Sequence, residues 1–522
     1  MSLRYPKGEQ HFPNIRKEGK VYVDKTALIY DLVNNEKYVF LSRPRRFGKS
    51  LLLSTIEAYF KGEKHLFDGL QIQFLEKNWE KFPVFHIRLA NVDSNNPESL
   101  HNNIQLQISQ WEKEFDVSPF SSDIASRFSN LIRQTFEKTF KPVVILVDEY
   151  DNPLINTLKS EHTETHEKNR ELLKSVYSCF KDLDRYIRFG MLTGVSRFSK
   201  MSVFSGLNNL TDITFYDRYS SICGFTENEI NSQLSEGVTL MADNNEWTYN
   251  RTLLELKKAY DGYHFSKKSE DIYNPYSIIR ALDKTEIGDY WLETATPSFL
   301  AYKLQKSSLS FSKIFDTFAK EATLSESDTS FQSPVALLFQ TGYLTIKDYE
   351  SESKRYKIGI PNREVENGLF PYLLNSFTKL DSTHEDLLIE DMKHFLNEGN
   401  INEFLHLLHS FIAGIPTFSG QEKITEKYIE HTLYLIFRCL GFDIKSQVAT
   451  SYSRMDLMLT TPGFYYIFEL KLDGDAEKAL RQIENKKYIS PFIYDGRKII
   501  SVGLNFSSKT RNISEWKINT GN

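Results

Sequence analysis

The amino-acid sequence predicts an α/β protein with a parallel-sheet domain, a mostly helical middle region and a smaller C-terminal α/β domain. Three observations support this prediction. In the first 225 residues, apolar strand-like runs alternate with helical patterns, which is typical of a parallel sheet with crossover helices. This alternation is lost in the middle of the chain and returns near its end as a helix, a hairpin pattern, another helix and a last strand. A chain of 522 residues is also too long for one hydrophobic core.

We place the domain boundaries after residues 225 and 420, which gives the ranges 1–225, 226–420 and 421–522. The first range contains near-continuous apolar runs of the kind found in buried parallel strands. These predicted strands are Lys37–Ser42, Val84–Leu89, Val143–Asp148 and Tyr186–Thr193. In the middle region, the polar stretch Glu321–Ser333 is predicted to be a loop.

The composition is that of an ordinary globular protein, with 40% hydrophobic and 25% charged residues. A formal net charge of -5 argues against a generally basic nucleic-acid coat protein. The three cysteines are widely spaced, so a disulfide framework and a cysteine-based zinc site are not expected. No apolar leader and no apolar run of 18 residues is visible, so we expect a cytoplasmic protein that does not enter a membrane.

A candidate phosphate-binding loop, Arg43-Pro-Arg-Arg-Phe-Gly-Lys-Ser50, follows the first predicted strand and precedes a helical pattern. A P-loop needs this order of strand, glycine-containing loop, Lys-Ser and helix, because its backbone N–H groups and helix N-terminus hold phosphate. Lys49 would neutralise the β- and γ-phosphates of ATP, and Ser50 would bind Mg²⁺. The remaining predicted nucleotide-binding residues of the loop are Arg45, Arg46, Phe47 and Gly48. Arg43 replaces the usual first glycine, so a chance match is the alternative.

Two carboxylates at the end of the third predicted strand are candidate partners of this loop in a nucleotide-binding site. Asp148 would hold the Mg²⁺ and Glu149 would polarise the attacking water. The alternative is a solvated acidic pair at a strand end. Thr193 ends the fourth predicted strand, where a polar group would lie beside the γ-phosphate. Arg197 is a candidate charge sensor, a finger to a neighbouring subunit of a homo-oligomer, or an ordinary surface arginine.

A second candidate centre lies in a predicted β-hairpin around the turn Thr461-Pro-Gly-Phe464. If the turn closes symmetrically, Asp456 lies opposite Glu469, and Lys471 shares their face. Opposed Cβ atoms in a sheet are about 5 Å apart, so the two carboxylates could share one divalent cation, Mg²⁺ or Mn²⁺. Lys471 would then orient or deprotonate a water that attacks a phosphodiester. The alternative is a cross-strand ion cluster on a wet sheet face.

Helices on either side of the hairpin add candidate catalytic residues. Gln482, on the helix that follows, could reach the carboxylates. Glu426 and Glu430, on the helix that precedes, lie one turn apart on one face. The hairpin register and the flanking helices favour a metal-dependent centre over a simple ion cluster.

Short sequence strings along most of the chain resemble the bacterial AAA-ATPase-like family, in which the missing first glycine is usual. Besides the Arg43–Ser50 loop, these strings are Tyr22-Val-Asp-Lys-Thr26, Leu66-Phe-Asp-Gly-Leu70, Val147-Asp-Glu-Tyr-Asp151, Gly224-Phe-Thr226, Tyr260-Asp-Gly-Tyr263, Tyr273-Asn-Pro-Tyr276 and Thr341-Gly-Tyr-Leu-Thr345. The strings in the middle region carry no obvious chemistry, and we interpret them as turns and core.

The C-terminal order of a helix with Glu, then Asp on a strand, then Glu-x-Lys on the next strand resembles the PD-(D/E)xK nuclease core. The resemblance covers residues 424–518 and implies a restriction-endonuclease-like fold. Gln447 stands at a position that is often acidic in such proteins.

The leading hypothesis is therefore an ATP-regulated, Mg²⁺-dependent nuclease that acts on nucleic acid, with DNA favoured, in defence or mobile-element biology. One alternative is a nucleotide-driven switch or scaffold whose C-terminal domain binds nucleic acid or protein without cleaving. Another is a transposon-linked DNA remodeller with a vestigial nuclease fold. An intact Asp456, Glu469 and Lys471 set favours the enzyme.

Overall fold

The computed structural model describes residues 3–90, 92–93, 96–119, 121–157, 163–197, 209–291, 298–307, 309–325, 333–378, 385–415, 424–449, 454–486, 488–489, 492 and 496–520. Within these ranges, no helix is long and apolar enough to cross a membrane.

The chain divides into two compact units. The first unit comprises residues 1–295 and 318–364, and the second comprises residues 296–317 and 365–522. These units group the middle region differently from the predicted ranges 1–225, 226–420 and 421–522, which stay a prediction.

A five-stranded parallel sheet forms the centre of the first unit, in the order β2-β3-β4-β1-β5. Its strands are β1 (Tyr38–Ser42), β2 (Val84–Arg88), β3 (Val143–Asp148), β4 (Ile187–Gly194) and β5 (Thr211–Asp212). The four predicted strands are confirmed to within a residue or two, and the short edge strand β5 was not predicted. Their near-continuous burial explains the apolar runs, since both faces of the sheet are covered.

The strand order brings the predicted nucleotide residues to one edge of the sheet. Strand β4 lies between β1 and β3, with Leu41 beside Thr193 and Val147 beside Leu192. The carboxyl ends of parallel strands meet at the same edge, so the loop after β1, the acidic end of β3 and the polar end of β4 converge there.

The helices of the first unit before residue 225 are α1 (Phe12–Lys17), α2 (Thr26–Asn35), α3 (Lys49–Phe60), α4 (Ile72–Leu75), α5 (Ser99–Glu114), α6 (Ile124–Thr139), α7 (Asn152–Ile155) and α8 (Thr163–Asp182). Aromatic and aliphatic side chains from β1 to β4 and from α5, α6 and α8 form one buried core.

The middle region is mostly helical, as predicted, but it also contains strands. Its helices are α9 (Glu227–Gln233), α10 (Ser235–Asn244), α11 (Tyr249–Tyr260), α12 (Pro275–Lys284), α13 (Ser298–Lys306), α14 (Phe311–Phe315), α15 (Glu321–Leu324), α16 (Pro334–Thr341), α17 (Arg363–Thr378), α18 (Glu385–Glu398) and α19 (Ile401–Ala413). A three-stranded sheet in the order β6-β8-β7 consists of β6 (Asp316–Ala319), β7 (Thr345–Glu350) and β8 (Arg355–Gly359).

The predicted loop Glu321–Ser333 is wrong at its start, where Glu321–Leu324 forms the short helix α15. Leu324 is fully buried, and this apolar contact within a polar stretch favours the helical turn. Residues 326–332 of the predicted loop lie outside the described residues.

The second unit contains a mixed five-stranded sheet in the order β13-β12-β11-β10-β9. Its elements after residue 424 are α20 (Glu426–Cys439), β9 (Asp443–Ala449), β10 (Arg454–Thr460), β11 (Phe464–Leu472), α21 (Ala476–Asn485), β12 (Lys498–Ser507) and β13 (Asn512–Thr520). The predicted helix, hairpin, helix and final strand are confirmed. Strand β9 was not predicted. One strand was predicted after the second helix, whereas two strands, β12 and β13, follow it and pair with each other.

Candidate functional site

The loop Arg43–Ser50 leads from the carboxyl end of β1 into α3. Gly48 has a φ of 92°, in the left-handed region that glycine adopts readily, and α3 begins at the next residue. The Lys49 ammonium is buried and donates hydrogen bonds to the carbonyl oxygens of Arg43 and Pro44, each at 2.9 Å. Ser50 is the second residue of α3 and is half-buried. The loop thus curls around a buried cation at a helix N-terminus, where phosphate groups bind in proteins.

The acidic end of β3 faces this lysine. Thr193 at the end of β4 donates a 2.8 Å hydrogen bond from its hydroxyl to Asp148 Oδ1. Glu149 has a φ of 55°, which is uncommon for a residue other than glycine. Burial and the adjacent Asp148 charge raise the pKa of Glu149, while the Lys49 charge lowers it. Four predicted residues, Lys49, Asp148, Glu149 and Thr193, are therefore brought together.

Arg43, which replaces the usual first glycine, anchors the loop. Its side chain is 1% exposed, and the guanidinium carbon lies 4.1 Å from the centre of the Phe265 ring. The guanidinium donates hydrogen bonds of 2.9 to 3.4 Å to four backbone carbonyls, those of Ser42, Thr214, Tyr219 and Ser220. Burial lowers the pKa of Arg43 to about 10. A glycine at this position could form none of these contacts, so the departure from the usual motif has a structural reason.

The motifs of the middle region pack against the same loop. The Phe47 ring meets the Tyr263 ring edge-on, with centroids 4.8 Å apart. Arg46 lies over the Tyr276 ring at 5.0 Å. The Trp291 indole donates a 3.1 Å hydrogen bond to the carbonyl oxygen of Arg45, whose own side chain is exposed. In these two strings, Tyr260, Tyr263 and Tyr273 are buried core residues and Tyr276 is half-buried, and together they support the predicted phosphate loop.

Asp151 organises the loop after β4 and was missed as a functional candidate. Its fully buried carboxylate accepts hydrogen bonds from the Val195 amide at 2.9 Å and from the Ser196 hydroxyl at 2.6 Å. A Cβ on Gly194 would come within 2.6 Å of the Asp151 carboxylate, so only glycine fits there. The signal in the sequence was the third acidic residue of the Asp148-Glu-Tyr-Asp151 string.

Arg197, predicted as a sensor, a finger or a surface residue, is engaged within its own chain. It forms a salt bridge with Asp212 through both Nε, at 3.0 Å, and Nη2. Its guanidinium also lies 4.7 Å from the Phe215 ring centroid, and the side chain is 14% exposed. A contact to a phosphate or to another subunit would therefore first have to break the pair with Asp212.

A largely apolar cavity of about 140 Å³ lies next to the loop, on the side of Gly48. Its walls include Tyr22, Val23, Leu51 and Tyr276. These residues come from the N-terminal segment, α3 and the middle region.

In the second unit, the hairpin of β10 and β11 has the predicted register. Leu457 pairs with Phe468 and Thr460 with Tyr465 across the turn, and the same register continued by one residue places Asp456 opposite Glu469. The Leu470 amide donates a 2.9 Å hydrogen bond to Asp456 Oδ2, which ties that carboxylate to the partner strand. The two carboxylates lie on the same face of the sheet, as predicted.

Glu469 is the most strongly perturbed group of this centre. Its side chain is 2% exposed, and Oε1 accepts hydrogen bonds from Lys471 Nζ, at 3.4 Å, and from the Gln482 amide. Oε2 is buried and has no hydrogen-bond partner among the residues that the structure describes. Burial and then the Asp456 charge raise the pKa of Glu469 to about 7. A buried, partnerless oxygen beside a second carboxylate is a suitable ligand for a cation.

The remaining predicted residues surround the pair. Gln447 donates to Glu430 Oε2 at 2.9 Å and to Asp456 Oδ1 at 3.4 Å, so it bridges the two carboxylates. Gln447 has a φ of 53°, an unusual value within a strand. Glu426 Oε1 accepts a 3.3 Å hydrogen bond from the Leu472 amide. All predicted C-terminal site residues are therefore brought to one end of the hairpin, and Gln447 joins them.

A divalent cation fits the donor set of this centre. Among the described residues, no group of three or more His, Cys, Asp or Glu side chains is arranged to hold a metal ion. Mg²⁺ usually needs only one or two carboxylates, with waters completing its octahedron, so Asp456 and Glu469 suffice in number. Oxygen donors without His or Cys favour Mg²⁺ or Mn²⁺ over zinc.

Comparison with known proteins agrees with both centres. Residues 6–204 match the AAA-ATPase-like family model, described as "Predicted AAA-ATPase", and residues 424–516 match the PD-(D/E)XK nuclease superfamily. The chain is also 32% identical over 530 residues to a protein of Azotobacter chroococcum mcd 1 described as "Uncharacterized protein in vnfD 5'region". That match covers 98% of each chain. The protein therefore belongs to the family of AAA-ATPase-like proteins that carry a C-terminal PD-(D/E)XK nuclease superfamily domain.

Proposed function

We propose that the protein binds and hydrolyses ATP in its first unit and cleaves phosphodiester bonds of nucleic acid, DNA above RNA, in its second. Both activities would use Mg²⁺, with Mn²⁺ as an alternative in the nuclease centre. The observation that carries the nuclease proposal is the buried Glu469 carboxylate, with one partnerless oxygen, facing Asp456 across the hairpin.

In the ATP centre, each residue has a distinct role in the proposal. Lys49 would exchange its two carbonyl partners for β- and γ-phosphate oxygens. Ser50 and Asp148 would hold the Mg²⁺. Glu149 would position the attacking water, and Thr193, already hydrogen-bonded to Asp148, would keep that carboxylate oriented.

The apolar cavity beside Gly48 supports a nucleotide rather than a simple phosphate as the ligand. Tyr22, Val23 and Leu51 offer apolar walls on which a base could pack. Arg45 and Arg46 lie in the same loop and would add positive charge near the phosphate chain.

The nuclease centre would work with a bound divalent cation, which supplies Lewis-acid polarisation of the phosphoryl group and activation of a water. Asp456 and Glu469 would hold it. Gln482 and Lys471 donate hydrogen bonds to the other oxygen of Glu469, which would leave Oε2 to hold the cation. Lys471 would also orient or deprotonate the attacking water, and Glu430, held by Gln447, would limit where the substrate phosphate can lie.

The ATPase is tested by two substitutions in the loop and strand. Lys49→Ala should abolish nucleotide binding, whereas Glu149→Gln should keep binding and lose hydrolysis. Binding is measured with a fluorescent ATP analogue and hydrolysis by phosphate release. Undiminished turnover in both variants would show that the ATP centre is misplaced.

The nuclease is tested with end-labelled single-stranded DNA, double-stranded DNA and RNA of equal length. Each substrate is incubated with Mg²⁺ or Mn²⁺, with and without ATP, and in excess EDTA. We expect metal-dependent cleavage, strongest on DNA. Cleavage that persists in EDTA would contradict the metal-dependent mechanism.

A second candidate function is the nucleotide-driven switch or scaffold that binds without cleaving. The observation that favours it is the replacement of an often acidic position by Gln447, whose amide occupies oxygens of both Glu430 and Asp456. No cleavage on any substrate, together with nucleotide-dependent nucleic-acid binding, would favour this candidate.

A further inference from the structure

A cavity of about 350 Å³ opens beside Asp456 in the second unit, and cationic side chains line it. Its charged lining residues are Lys313, Lys427 and Arg454 together with the carboxylates of Glu426, Glu430 and Asp456. Lys313 comes from α14, more than 100 residues before the matched nuclease region, which begins at residue 424. The cavity therefore has a wall that the nuclease match does not include.

The position of that wall is set by a buried aromatic contact. The Phe311 ring on α14 stacks on the His431 ring of α20, with centroids 4.2 Å apart and planes 13° from parallel. Both side chains are buried, and Phe311 also meets Phe377 and Tyr434 edge-on. Since α20 carries Glu426 and Glu430, this stacking holds Lys313 at a defined place beside the carboxylates.

The cations around the cavity do not neutralise those carboxylates by direct ion pairs. Lys313 and Arg454 are exposed and have no ion pair with any carboxylate of the described residues. Lys427 donates a 3.0 Å hydrogen bond to the carbonyl oxygen of Ser307, and its charge acts on Glu430 without a direct contact. Arg454 precedes Asp456 by two residues on β10 and so lies on the same sheet face.

Three cations that converge on one cavity without carboxylate partners suit an anionic ligand that reaches the carboxylates from the side of α14. Lys and Arg bind phosphate oxygens through charge-assisted hydrogen bonds, and such contacts dominate the affinity of proteins for nucleic acid. We propose that Lys313, Lys427 and Arg454 form a phosphate subsite that binds the backbone of a nucleic acid next to the Asp456 and Glu469 centre. This proposal rests on the proposed nuclease function for the identity of its ligand.

The test measures binding, not cleavage, with the full chain in EDTA and fluorescein-labelled oligonucleotides. The variant Lys313→Gln, Lys427→Gln and Arg454→Gln is compared with wild type by fluorescence anisotropy across a salt series. The matched control replaces three exposed lysines of the same unit that do not line the cavity, Lys478, Lys498 and Lys509, with glutamine. Both triple variants change the net charge equally.

We expect the cavity variant to bind at least roughly tenfold more weakly than wild type at about 0.1 M salt, because it loses phosphate contacts. On duplex DNA, each lost contact should also reduce the magnitude of the slope of log K against log salt by about 0.9. In the cavity variant, the magnitude of this slope should therefore be smaller by about 2 to 3 in total. The control should stay within about twofold of wild type, since general charge contributes little at a distance beyond the Debye length. Single-stranded DNA, duplex DNA and RNA arms identify the form of backbone that the subsite prefers.

An equal loss of affinity in both triple variants, or no loss in either, would overturn the subsite. The single charge reversal Lys313→Glu is a second variant that should fold normally, because the Lys313 side chain is exposed. It should by itself weaken oligonucleotide binding severalfold. Wild-type binding that depends on the three cations without cleavage under any metal would uphold the subsite and refute the nuclease. If wild type cleaves the oligonucleotides and the cavity variant binds them as tightly as wild type, the nuclease would be upheld and the subsite refuted.

Discussion

The two candidate centres are built in opposite ways. In the proposed ATP centre, the groups that anchor the loop are hydrogen-bonded to distant parts of the first unit. Arg43 binds carbonyls around residues 214–220, and Trp291 binds the Arg45 carbonyl. In the hairpin centre, the two carboxylates lie within a few residues of one turn, and the Glu469 Oε2 atom is buried without a hydrogen-bond partner in the described part of the chain.

The two centres therefore differ in which groups are available to bind a ligand. Lys49 donates hydrogen bonds to two loop carbonyls, which phosphate oxygens would replace in the proposed function. The hairpin centre instead keeps two carboxylates close together and one oxygen free, an arrangement that a cation would stabilise. Substitutions of the residues that support the phosphate loop should therefore affect stability, and those of the hairpin carboxylates should affect chemistry.

The largest expected effect is on cleavage. Alanine at Asp456, Glu469 or Lys471 should each reduce the cleavage rate by about a thousandfold or more, since each removes a cation ligand or the water-orienting group. ATP hydrolysis should stay within about twofold of wild type, because these residues belong to the second compact unit and the ATP-centre residues to the first. Rates are measured on labelled oligonucleotides after each variant has been shown to melt like wild type. A variant that melts normally and still cleaves would remove that residue from the centre.

The next effect is on the core behind the phosphate loop. Tyr263→Ala should destabilise the first unit by roughly 3 to 5 kcal/mol, because it leaves a cavity against the Phe47 ring. Tyr263→Phe, which keeps the ring, is the matched control and should melt close to wild type. Thermal melting and specific ATPase activity of the folded protein are the measurements. A stable Tyr263→Ala protein without activity would assign this residue a direct functional role.

Arg43→Ala should cost about 3 kcal/mol, since it leaves buried carbonyls without a donor. Arg45→Ala, in the same loop but exposed, should change stability by no more than about 0.5 kcal/mol. Denaturant unfolding of the two variants compares a buried anchor with an exposed neighbour. Equal stabilities would contradict the anchoring role of Arg43.

These outcomes bear on how much the sequence could predict. The hairpin register was predictable because the Pro462-Gly463 turn and the two-residue alternation of a strand determine which side chains face each other. The four main strands of the parallel sheet were predictable from buried apolar runs. Both signals are local, so they can be read without knowing what else touches the element.

Long-range contacts left no such signal. Nothing near Arg43 in the sequence indicates the carbonyls that it binds some 170 residues later. The strand β5 is two residues long, too short for any periodicity. The placement of Lys313 beside the hairpin centre depends on the stacking of Phe311 on His431, which are 120 positions apart in the chain.

A smaller effect concerns pH. Glu364 is buried, accepts hydrogen bonds from the Ser277 hydroxyl and the Trp291 amide, and burial raises its pKa to about 7. The folded protein then keeps a proton that the unfolded chain releases near its ordinary value of 4.5, so this contribution is complete below that value and is lost as pH rises through 7. The loss amounts to at most ~3 kcal/mol.

Denaturant unfolding of wild type and Glu364→Gln between pH 5 and pH 8 checks this effect. The wild type should gain stability relative to the variant as the pH falls, because glutamine in the same place cannot titrate. A stability difference that is constant over this range would show that Glu364 has an ordinary pKa.

The central claim is that Asp456 and Glu469 together hold a divalent cation, and direct metal binding tests it most simply. Mn²⁺ is titrated into nucleotide-free protein and the bound fraction is read by electron paramagnetic resonance. The protein titrated is the Lys49→Ala variant, so that no residual nucleotide binds at the ATP centre and brings a metal ion with it. One Mn²⁺ site per chain should be present in this background and lost on adding Glu469→Gln. A site that survives Glu469→Gln, or no site in the background protein, would contradict the claim and favour the switch that binds without cleaving.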